Sequence, residues 1–463
     1  DHVGFLPGST FETPNIDRIA DSVAFADCAT VNPICTPART ALLTGKYTHQ
    51  IGTLSMSGDL SPQHPTYMRA MQEIGYFTAG IGKFHWLQGW PWQADRGKGH
   101  DLVALKEKMK GFGLDYVWET AGKQLAQRNY CEQMAVLDQK GLLEAYRDHT
   151  YARGRNFNEA SKVEFTGEPW PFDDEDYVDI LTGDRIVECI RERPQDKPFC
   201  IFGSFCGPHA PFDPPQSYLD QIPYEEVDDF VVGDAELPPE TKELMWTLRR
   251  SYRAMLRVID DQVGRIFETL EQEGLLDNTV VFFTTDHGEM MGDHGRFQKS
   301  TWHHQASTVP TAVRHPHHLN RRLNASPVEI TDITATILDI AGLNPVAALS
   351  KPWPAFNNIV PCRSLMPIVR GETDRIREFA FSECSGQWQM IQTEEWKYVR
   401  FLQTGSPGAP DERLFNKKTD PDELMDRAGD QTCVNALQWC RDQREHLVDT
   451  TPPAQLKWAP VIP

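Results

Sequence analysis

Three short apolar segments, each as long as a buried β-strand, constrain the fold of this chain most strongly. They are rich in β-branched and aromatic residues and cover Phe77–Ile81, Phe199–Phe205 and Thr279–Thr284. Runs of this length and composition are typical of strands covered on both faces. Over Glu240–Glu273, apolar residues recur at three- and four-residue steps, which predicts a helix with one buried stripe. Strands that alternate with helices predict an α/β fold with a large, mostly parallel sheet flanked by helices.

The chain length of 463 residues predicts more than one domain, because a single core of that size is unusual. We predict a catalytic α/β domain, a proline-containing connection and a smaller C-terminal α+β domain with antiparallel strands and a helix. An insertion of mixed character, whose elements the pattern does not assign, interrupts the first domain. The predicted ranges are 1–345 for the first domain, 86–176 for the insertion, 346–375 for the connection and 376–463 for the last domain.

Charge and composition exclude two classes of partner. The net charge of −20 and the pI near 5.2 argue against a nucleic-acid-binding protein, which needs a basic face. A local basic cluster would have to attract any anionic substrate. No apolar run approaches the roughly 20 residues that cross a membrane, so no membrane partner is expected. The ten cysteines show no CxxC pair or disulfide-scaffold spacing and are interpreted as reduced thiols. The compartment stays open between the cytoplasm and the periplasm or exterior.

Reactive side chains follow each of the three apolar segments. Lys83 and His85 come after the first, His209 after the second, and Asp286 with His287 after the third. In open α/β sheets, ligands bind at the carboxyl ends of the strands, so we expect these residues to converge on one site. Three such endings together indicate a catalytic constellation.

Cys35 is a candidate nucleophile. Pro37 suits the first turn of a helix, which would place Cys35 at or just before the helix N-terminus. Backbone N–H groups and the helix dipole favour negative charge there. Arg39, four residues later, would lie on the same face. A buried cysteine beside a surface arginine fits these five residues equally well.

Taken together, these segments resemble the signatures of the sulfatase family, the formylglycine-dependent enzymes of the alkaline phosphatase superfamily. The segment Cys35–Arg39 looks like the family's Cys-x-Pro-x-Arg signature, which directs oxidation of the cysteine to formylglycine. Further blocks are similar to family segments in the expected order. They are residues 13–18, 44–46, 75–85, 204–214, 284–299 and, more loosely, 412–428.

The resemblance implies roles for the residues around the sulfate. Cys35 would be the formylglycine precursor, whose aldehyde hydrate attacks sulfur, and Arg39 would hold that hydrate. Lys83 and Lys299 would bind sulfate oxygens. His85 would orient or deprotonate the hydrate. A formylglycine-generating enzyme would be needed as a partner during maturation.

The resemblance also implies roles at the leaving group and the metal. His209 would protonate the leaving alcohol, and Asp286 and His287 would bind a divalent metal. Calcium is the expected ion, with magnesium and manganese as alternatives, although histidine is an unusual ligand for calcium. The family's first strand supplies further acidic ligands. Asp1 stands twelve residues before Thr13, so the sequence is expected to begin after that strand.

Two further sets of residues have no role in the proposed chemistry of the sulfate group. His303, His304 and the tract 315–318 are interpreted as surface histidines, because they lack a paired carboxylate pattern. The tryptophan-rich segment 86–92 is expected to border the pocket and to stack on a sugar ring.

Three functions are compatible with the sequence. The first is hydrolysis of a sulfate monoester, either a sulfated sugar or an aryl sulfate. The second is hydrolysis of a phosphonate monoester or phosphodiester within the same superfamily. The third is non-catalytic binding of a sulfated glycan, against which a retained general acid argues. The sequence sets neither the oligomeric state nor the leaving alcohol.

Overall fold

The computed structural model describes residues 2–56, 59–87, 97–154, 167–233, 237–350, 358–384, 386–403 and 411–454. Over those ranges, every helix is too short or too polar to cross a membrane. The strands are β1 (Val23–Ala29), β2 (Phe77–Lys83), β3 (Tyr116–Thr120), β4 (Phe199–Ser204), β5 (Val281–Phe283), β6 (Thr308–Arg314), β7 (Arg322–Asn324), β8 (Val328–Glu329), β9 (Ala380–Cys384), β10 (Trp388–Gln392), β11 (Trp396–Phe401) and β12 (Glu412–Asn416). The α-helices are α1 (Cys35–Thr44), α2 (Thr48–Ile51), α3 (Tyr67–Glu73), α4 (Lys106–Lys110), α5 (Glu132–Gln139), α6 (Leu143–Gly154), α7 (Val178–Glu192), α8 (Gln216–Leu219), α9 (Pro239–Gln272), α10 (His304–Ser307), α11 (Thr331–Ile340), α12 (Pro345–Leu349), α13 (Met366–Val369) and α14 (Val434–Thr450).

The chain forms two compact units, each assembled from separate stretches of sequence. The first unit comprises residues 1–18, 71–229 and 238–279. The second comprises residues 19–70, 230–237 and 280–463. The predicted division at residues 345 and 376 follows the order of the sequence and stays a prediction.

The first unit is built on a parallel sheet in the order β3-β2-β4. Because all three strands run the same way, Lys83 at the end of β2 and Ser204 at the end of β4 lie at one edge. Strand β3 falls within the segment 86–176, so part of that segment belongs to the sheet. Helix α9 begins at Pro239, and its predicted stripe is largely buried, as at Leu248, Met255 and Leu270.

The second unit contains a mixed sheet in the order β5-β6-β1-β7, with β8 also paired to β1. Strands β1 and β5 are both antiparallel to β6 and therefore run in the same direction. Their carboxyl ends lie at the same edge of the sheet. The loop after β1 leads into α1, which begins at Cys35, as predicted. The segment that contains Asp286 follows β5.

A second sheet in this unit is antiparallel throughout, in the order β12-β11-β10-β9. These four strands and helix α14 all lie within residues 376–463, for which antiparallel strands and a helix were expected. Leu437 and Cys440 of α14 pack with Phe381, Ile391 and Tyr398 of the sheet. Residues 376–463 therefore contain antiparallel strands and a helix, and their assignment as a separate domain stays a prediction.

Candidate active site

In the second unit, four predicted residues meet at the carboxyl ends of β1 and β5. The Cys35 side chain is buried, and its Sγ lies 3.1 Å from Nε2 of His287. The donor atoms of Cys35, Asp286 and His287 all lie within 4.8 Å of one another. Arg39, one helical turn after Cys35, donates from Nε to Oδ2 of Asp286 at 2.7 Å. We refer to these four residues as the Cys35 cluster.

The His287 ring presents a defined nitrogen to this cluster. Its Nδ1 lies 2.8 Å from the carbonyl oxygen of Gly288, which can only accept a hydrogen bond. Nδ1 therefore carries the proton, and Nε2 of the neutral ring keeps its lone pair. A backbone carbonyl that fixes the tautomer in this way is typical of metal-binding histidines. Nε2 also lies 3.7 Å from Oδ2 of Asp286.

Local contacts hold the Asp286 segment in place. The Thr30 hydroxyl, just after β1, donates to the Asp286 carbonyl oxygen at 2.6 Å. The Gly288 N–H donates to the Ala306 carbonyl oxygen at 2.9 Å. A Cβ at Gly288 would lie only 1.8 Å from the Gln305 carbonyl oxygen, so a larger residue could not be accommodated there. The two metal-ligand candidates are thus held by backbone contacts that a side chain at position 288 would break.

Lys299 lies on the same unit as the Cys35 cluster and is half-buried. The next residue, Ser300, donates its N–H to the Pro33 carbonyl oxygen at 3.2 Å, which ties this loop to the segment before Cys35. Burial raises the pKa of Glu289, while Lys299 and His287 act to lower it. Lys299 is therefore a cation within electrostatic range of the Asp286 segment.

In the first unit, Lys83 is the last residue of β2 and His85 lies two residues later, and both side chains are buried. His85 has a φ of 58°, a conformation that side chains other than glycine seldom adopt. Its Nε2 lies 3.2 Å from the Ala121 carbonyl oxygen, so Nε2 carries the proton and Nδ1 is the basic nitrogen. A Cβ at Gly122 would lie 3.3 Å from His85 Nε2 and 3.4 Å from Lys83 Cδ. This close approach brings residues 121–122 against both side chains.

His209 lies in the loop that follows β4, residues 206–213, which we call the His209 loop. The peptide bonds before Pro208 and Pro211 are cis. Nδ1 of His209 lies 2.7 Å from the Ala210 carbonyl oxygen and must donate to it. Nε2 is then the nitrogen that can exchange a proton with a substrate.

Of the histidines predicted to be surface residues, His317 is exposed and His304, His315 and His318 are half-buried, and the prediction is wrong for His303. His303 is buried, stacks on Trp302 with centroids 4.5 Å apart, and contacts the His294 ring at 4.1 Å. Burial lowers the pKa of His303 to about 2 and that of His304 to about 3. Among the described residues, the groups whose donor atoms are spaced for a metal ion are the Cys35 cluster and an acidic set near residue 175, and neither includes these histidines.

The tryptophan-rich segment is described only at its start, and residues 88–92 lie outside the described residues. Trp86 is 1% exposed and packs against Phe84, Phe112 and Phe202. The Trp86 side chain belongs to the core of the first unit, so the expectation that the segment borders a pocket is wrong for this residue.

The sequence pattern missed one buried polar group in the first unit. Lys123 is buried and pairs with the buried carboxylate of Asp213, which belongs to the His209 loop. The available signal was a lysine three residues after the strand-like run Tyr116–Thr120, close to the end of β3 as His85 is close to the end of β2. That run lay within the segment to which no elements were assigned.

The chain is similar to a known protein family over most of its length. The family model described as Sulfatase matches residues 1–343. A choline-sulfatase of Rhizobium meliloti is 25% identical over 449 residues, covering 91% of this chain and 78% of the relative.

Two solved structures share the fold. One is the phosphonate monoester hydrolase of Agrobacterium radiobacter, with a TM-score of 0.72, 21% identity and coverage of 95% of this chain and 91% of the other. The other is the protein BT4656 in complex with its substrate D-glucosamine-2-N,6-O-disulfate. It has a TM-score of 0.67, 18% identity and coverage of 96% of this chain and 94% of the other. These likenesses establish the predicted alkaline-phosphatase-like α/β fold. Since the family model spans about three quarters of its length, the chain belongs to the sulfatase family and is an enzyme of the class that hydrolyses sulfate esters.

Proposed function

We propose that this enzyme hydrolyses a sulfate monoester, using an oxygen nucleophile derived from Cys35. The observation that carries the proposal is the Cys35 cluster, in which a buried cysteine at a helix N-terminus adjoins Asp286 and His287. The first turn of α1 directs backbone N–H groups towards this point and favours an anion there. A plain thiol is not the nucleophile of this family, so the proposal includes conversion of Cys35 to formylglycine by a formylglycine-generating enzyme.

The Cys35 cluster suits a divalent cation. Asp286 offers a carboxylate and His287 a lone pair on Nε2, and Arg39 holds the Asp286 carboxylate in place. Asp286 and His287 would hold the ion, for which we propose calcium, with magnesium or manganese as alternatives. A bound cation would supply positive charge to the sulfate oxygens. Lys83 and Lys299 would act together with that ion to neutralise the anionic ester.

Proton transfer falls to the two histidines of the first unit. As the hydrate oxygen bonds to sulfur, the bond between sulfur and the ester oxygen breaks and its electron pair goes to the leaving oxygen. That oxygen takes the Nε2 proton of His209 in its imidazolium form, and the ring keeps its Nδ1 proton. The bond from His209 Nδ1 to Ala210 keeps the ring in the orientation that presents Nε2. The proposed role of His85 is to orient the nucleophile or accept its proton through Nδ1, because Nε2 is committed to Ala121.

For the leaving alcohol, we propose a sulfated sugar or an aryl sulfate. The choline-sulfatase relative and the structure bound to D-glucosamine-2-N,6-O-disulfate support small organic sulfates as a class. The phosphonate monoester hydrolase shares the fold at 21% identity and keeps phosphonate hydrolysis open as the alternative.

The test combines mass spectrometry with turnover. The peptide that contains Cys35 should be lighter by one sulfur and two hydrogens and heavier by one oxygen. Cys35→Ala should abolish hydrolysis of 4-nitrophenyl sulfate. Cys440→Ala, which removes a buried thiol from α14, should retain it. Unchanged turnover by Cys35→Ala would refute the mechanism.

Parallel turnover of an aryl sulfate and an aryl phosphonate separates the two activities. We expect a higher kcat/KM for the sulfate. A preference for the phosphonate by orders of magnitude would replace the sulfatase assignment with phosphonate hydrolysis.

A further inference from the structure

Lys123 has a buried ammonium that makes several hydrogen bonds in the interior of the first unit. Its Nζ donates to the Tyr177 hydroxyl at 2.9 Å and to the Pro211 carbonyl oxygen at 2.7 Å. It also forms an ion pair with the Asp213 carboxylate, and both side chains are nearly inaccessible to solvent. A buried ammonium is costly unless each proton is bonded, and here three oxygen atoms satisfy it. Two of those oxygens belong to the His209 loop.

The His209 loop is held at its other end as well. Asp179 of α7 accepts the N–H of Cys206 at 2.6 Å and the N–H of Gly207 at 3.0 Å. A Cβ at Gly207 would lie 2.6 Å from the Asp179 carboxylate, so a larger residue would disturb this contact. His209 therefore lies between two charged anchors, Asp179 at the start of the loop and Lys123 at its end.

The segment that carries Lys123 also contacts the other predicted residues of this unit. The Ala121 carbonyl oxygen accepts from His85, and Gly122 lies directly against His85 and Lys83. Residues 121–123 thus connect two groups of side chains that arrive on different strands.

We propose that Lys123 is a positioning residue for proton transfer, which fixes the His209 loop so that Nε2 of His209 points at the leaving oxygen. The inference rests on the proposed general-acid role of His209. The orientation of that ring depends on the backbone, since Nδ1 bonds to the Ala210 carbonyl, and Lys123 holds the carbonyl of the next residue. A displacement of about 1 Å at a catalytic group can lower the rate by about 100-fold.

A positioning role and a purely structural one predict different rate patterns. A general acid matters most when the leaving oxygen is basic, because a weakly basic oxygen departs without a proton. Phenyl sulfate, with its more basic leaving group, should therefore depend on the loop more than 4-nitrophenyl sulfate does. A loss of stability alone would lower both rates by the same factor.

The experiment measures kcat/KM on both esters for the intact enzyme and its variants. Lys123→Met is expected to lower the rate on phenyl sulfate about 10-fold more than the rate on 4-nitrophenyl sulfate, a fraction of the 100-fold or more that a general acid contributes. His209→Ala should show the same selectivity at larger magnitude. Because Lys123→Met leaves Asp213 buried without its cation, the double variant Lys123→Met/Asp213→Asn serves as the second test and should show the same selectivity.

A control comes from another buried cation of the same unit, Arg253, whose carboxylate partner is partly exposed. Arg253 pairs with Asp228 at 2.5 Å and donates to Thr10 at 2.9 Å. Arg253→Met should lower the melting temperature without changing the ratio of the two rates.

The outcomes separate the two proposals. If His209→Ala lowers both rates equally, the proposed general acid is wrong. If His209→Ala is selective but Lys123→Met and the double variant lower both rates equally, as the control does, Lys123 has only a structural role and this inference is overturned.

Discussion

Arg377 is the residue whose removal should most clearly destabilise the second unit. Its guanidinium forms an ion pair with Glu329 at 2.9 Å and donates from Nε to Asp332 at 3.1 Å. Both carboxylates are fully buried, and Arg377 itself is 6% exposed. Glu329 belongs to β8, which pairs with β1, the strand that leads to Cys35. Arg377→Met would leave two buried carboxylates without their shared cation.

The expected loss follows from the burial of all three groups. Removing one partner of a buried ion pair costs about 3–5 kcal/mol, because the remaining charge is desolvated and uncompensated. For a protein of this size, in which the unfolding entropy is about 1 kcal/mol/K, that corresponds to a fall in melting temperature of about 3–5 °C. Backbone N–H groups still satisfy Asp332, since Glu329 and Arg363 donate to it at 2.8 Å each. Glu329 likewise keeps the N–H of Phe381 at 2.9 Å and the Tyr47 hydroxyl at 3.0 Å. The loss should therefore come from two buried negative charges without a cation, and not from missing hydrogen bonds.

The loss should also depend on pH. Burial raises the pKa of Glu329, Arg377 lowers it, and Asp332 raises it again. In Arg377→Met the Glu329 pKa should rise further. An acid whose pKa is higher in the folded than in the unfolded state stabilises the fold at low pH and loses that contribution as pH rises through the folded-state pKa. The variant should therefore be closest to the parent protein at about pH 5.5 and furthest from it at about pH 8.

The assay is urea unfolding of the parent, Arg377→Met and Arg377→Met/Glu329→Gln at both pH values. The double variant removes one of the two uncompensated charges and should recover about half of the lost stability. A loss below about 1 kcal/mol, or one that grows as pH falls, would refute the reasoning.

Three further predictions address the site and its surroundings. Gly122→Ala should lower activity, because its Cβ would crowd His85 at 3.3 Å. The control Gly141→Ala, at a similar φ of 73° but in open space, should lower stability alone. Melting temperatures and turnover rates of both variants test this difference. His49 bonds to Glu383 at 2.8 Å; burial lowers the His49 pKa, but Glu383 raises it above its ordinary value overall. Stability from this pair should be lost as pH rises through the His49 pKa, and melting curves of His49→Gln should lack that loss. Chelation should abolish turnover, and added Ca²⁺, Mg²⁺ or Mn²⁺ should restore it; unchanged turnover after exhaustive chelation would exclude the proposed metal.

Local sequence signals determined the elements that carry the candidate residues. Pro37 and the apolar residues after it placed the start of α1 at Cys35, because proline at a first helical turn costs no hydrogen bond. The periodicity over Glu240–Glu273 predicted α9 to within one residue at each end. Apolar runs predicted β2, β4 and β5, with Lys83 at the end of its strand and His209 and Asp286 in the loops that follow. Each of these signals lies within a few residues of the feature it predicts.

The tertiary structure decided what the sequence pattern could not. Which nitrogen of His85, His209 and His287 carries the proton depends on backbone carbonyls that face each ring only after the loops have folded. The burial of His303 and the pairing of Lys123 with a residue 90 positions away likewise have no local signature. A buried ion pair is set by contacts between distant segments, and periodicity reports only which face of one segment is apolar. The sequence therefore determined the family and the predicted chemical groups, and the folded chain determined their protonation, their anchors and their surroundings.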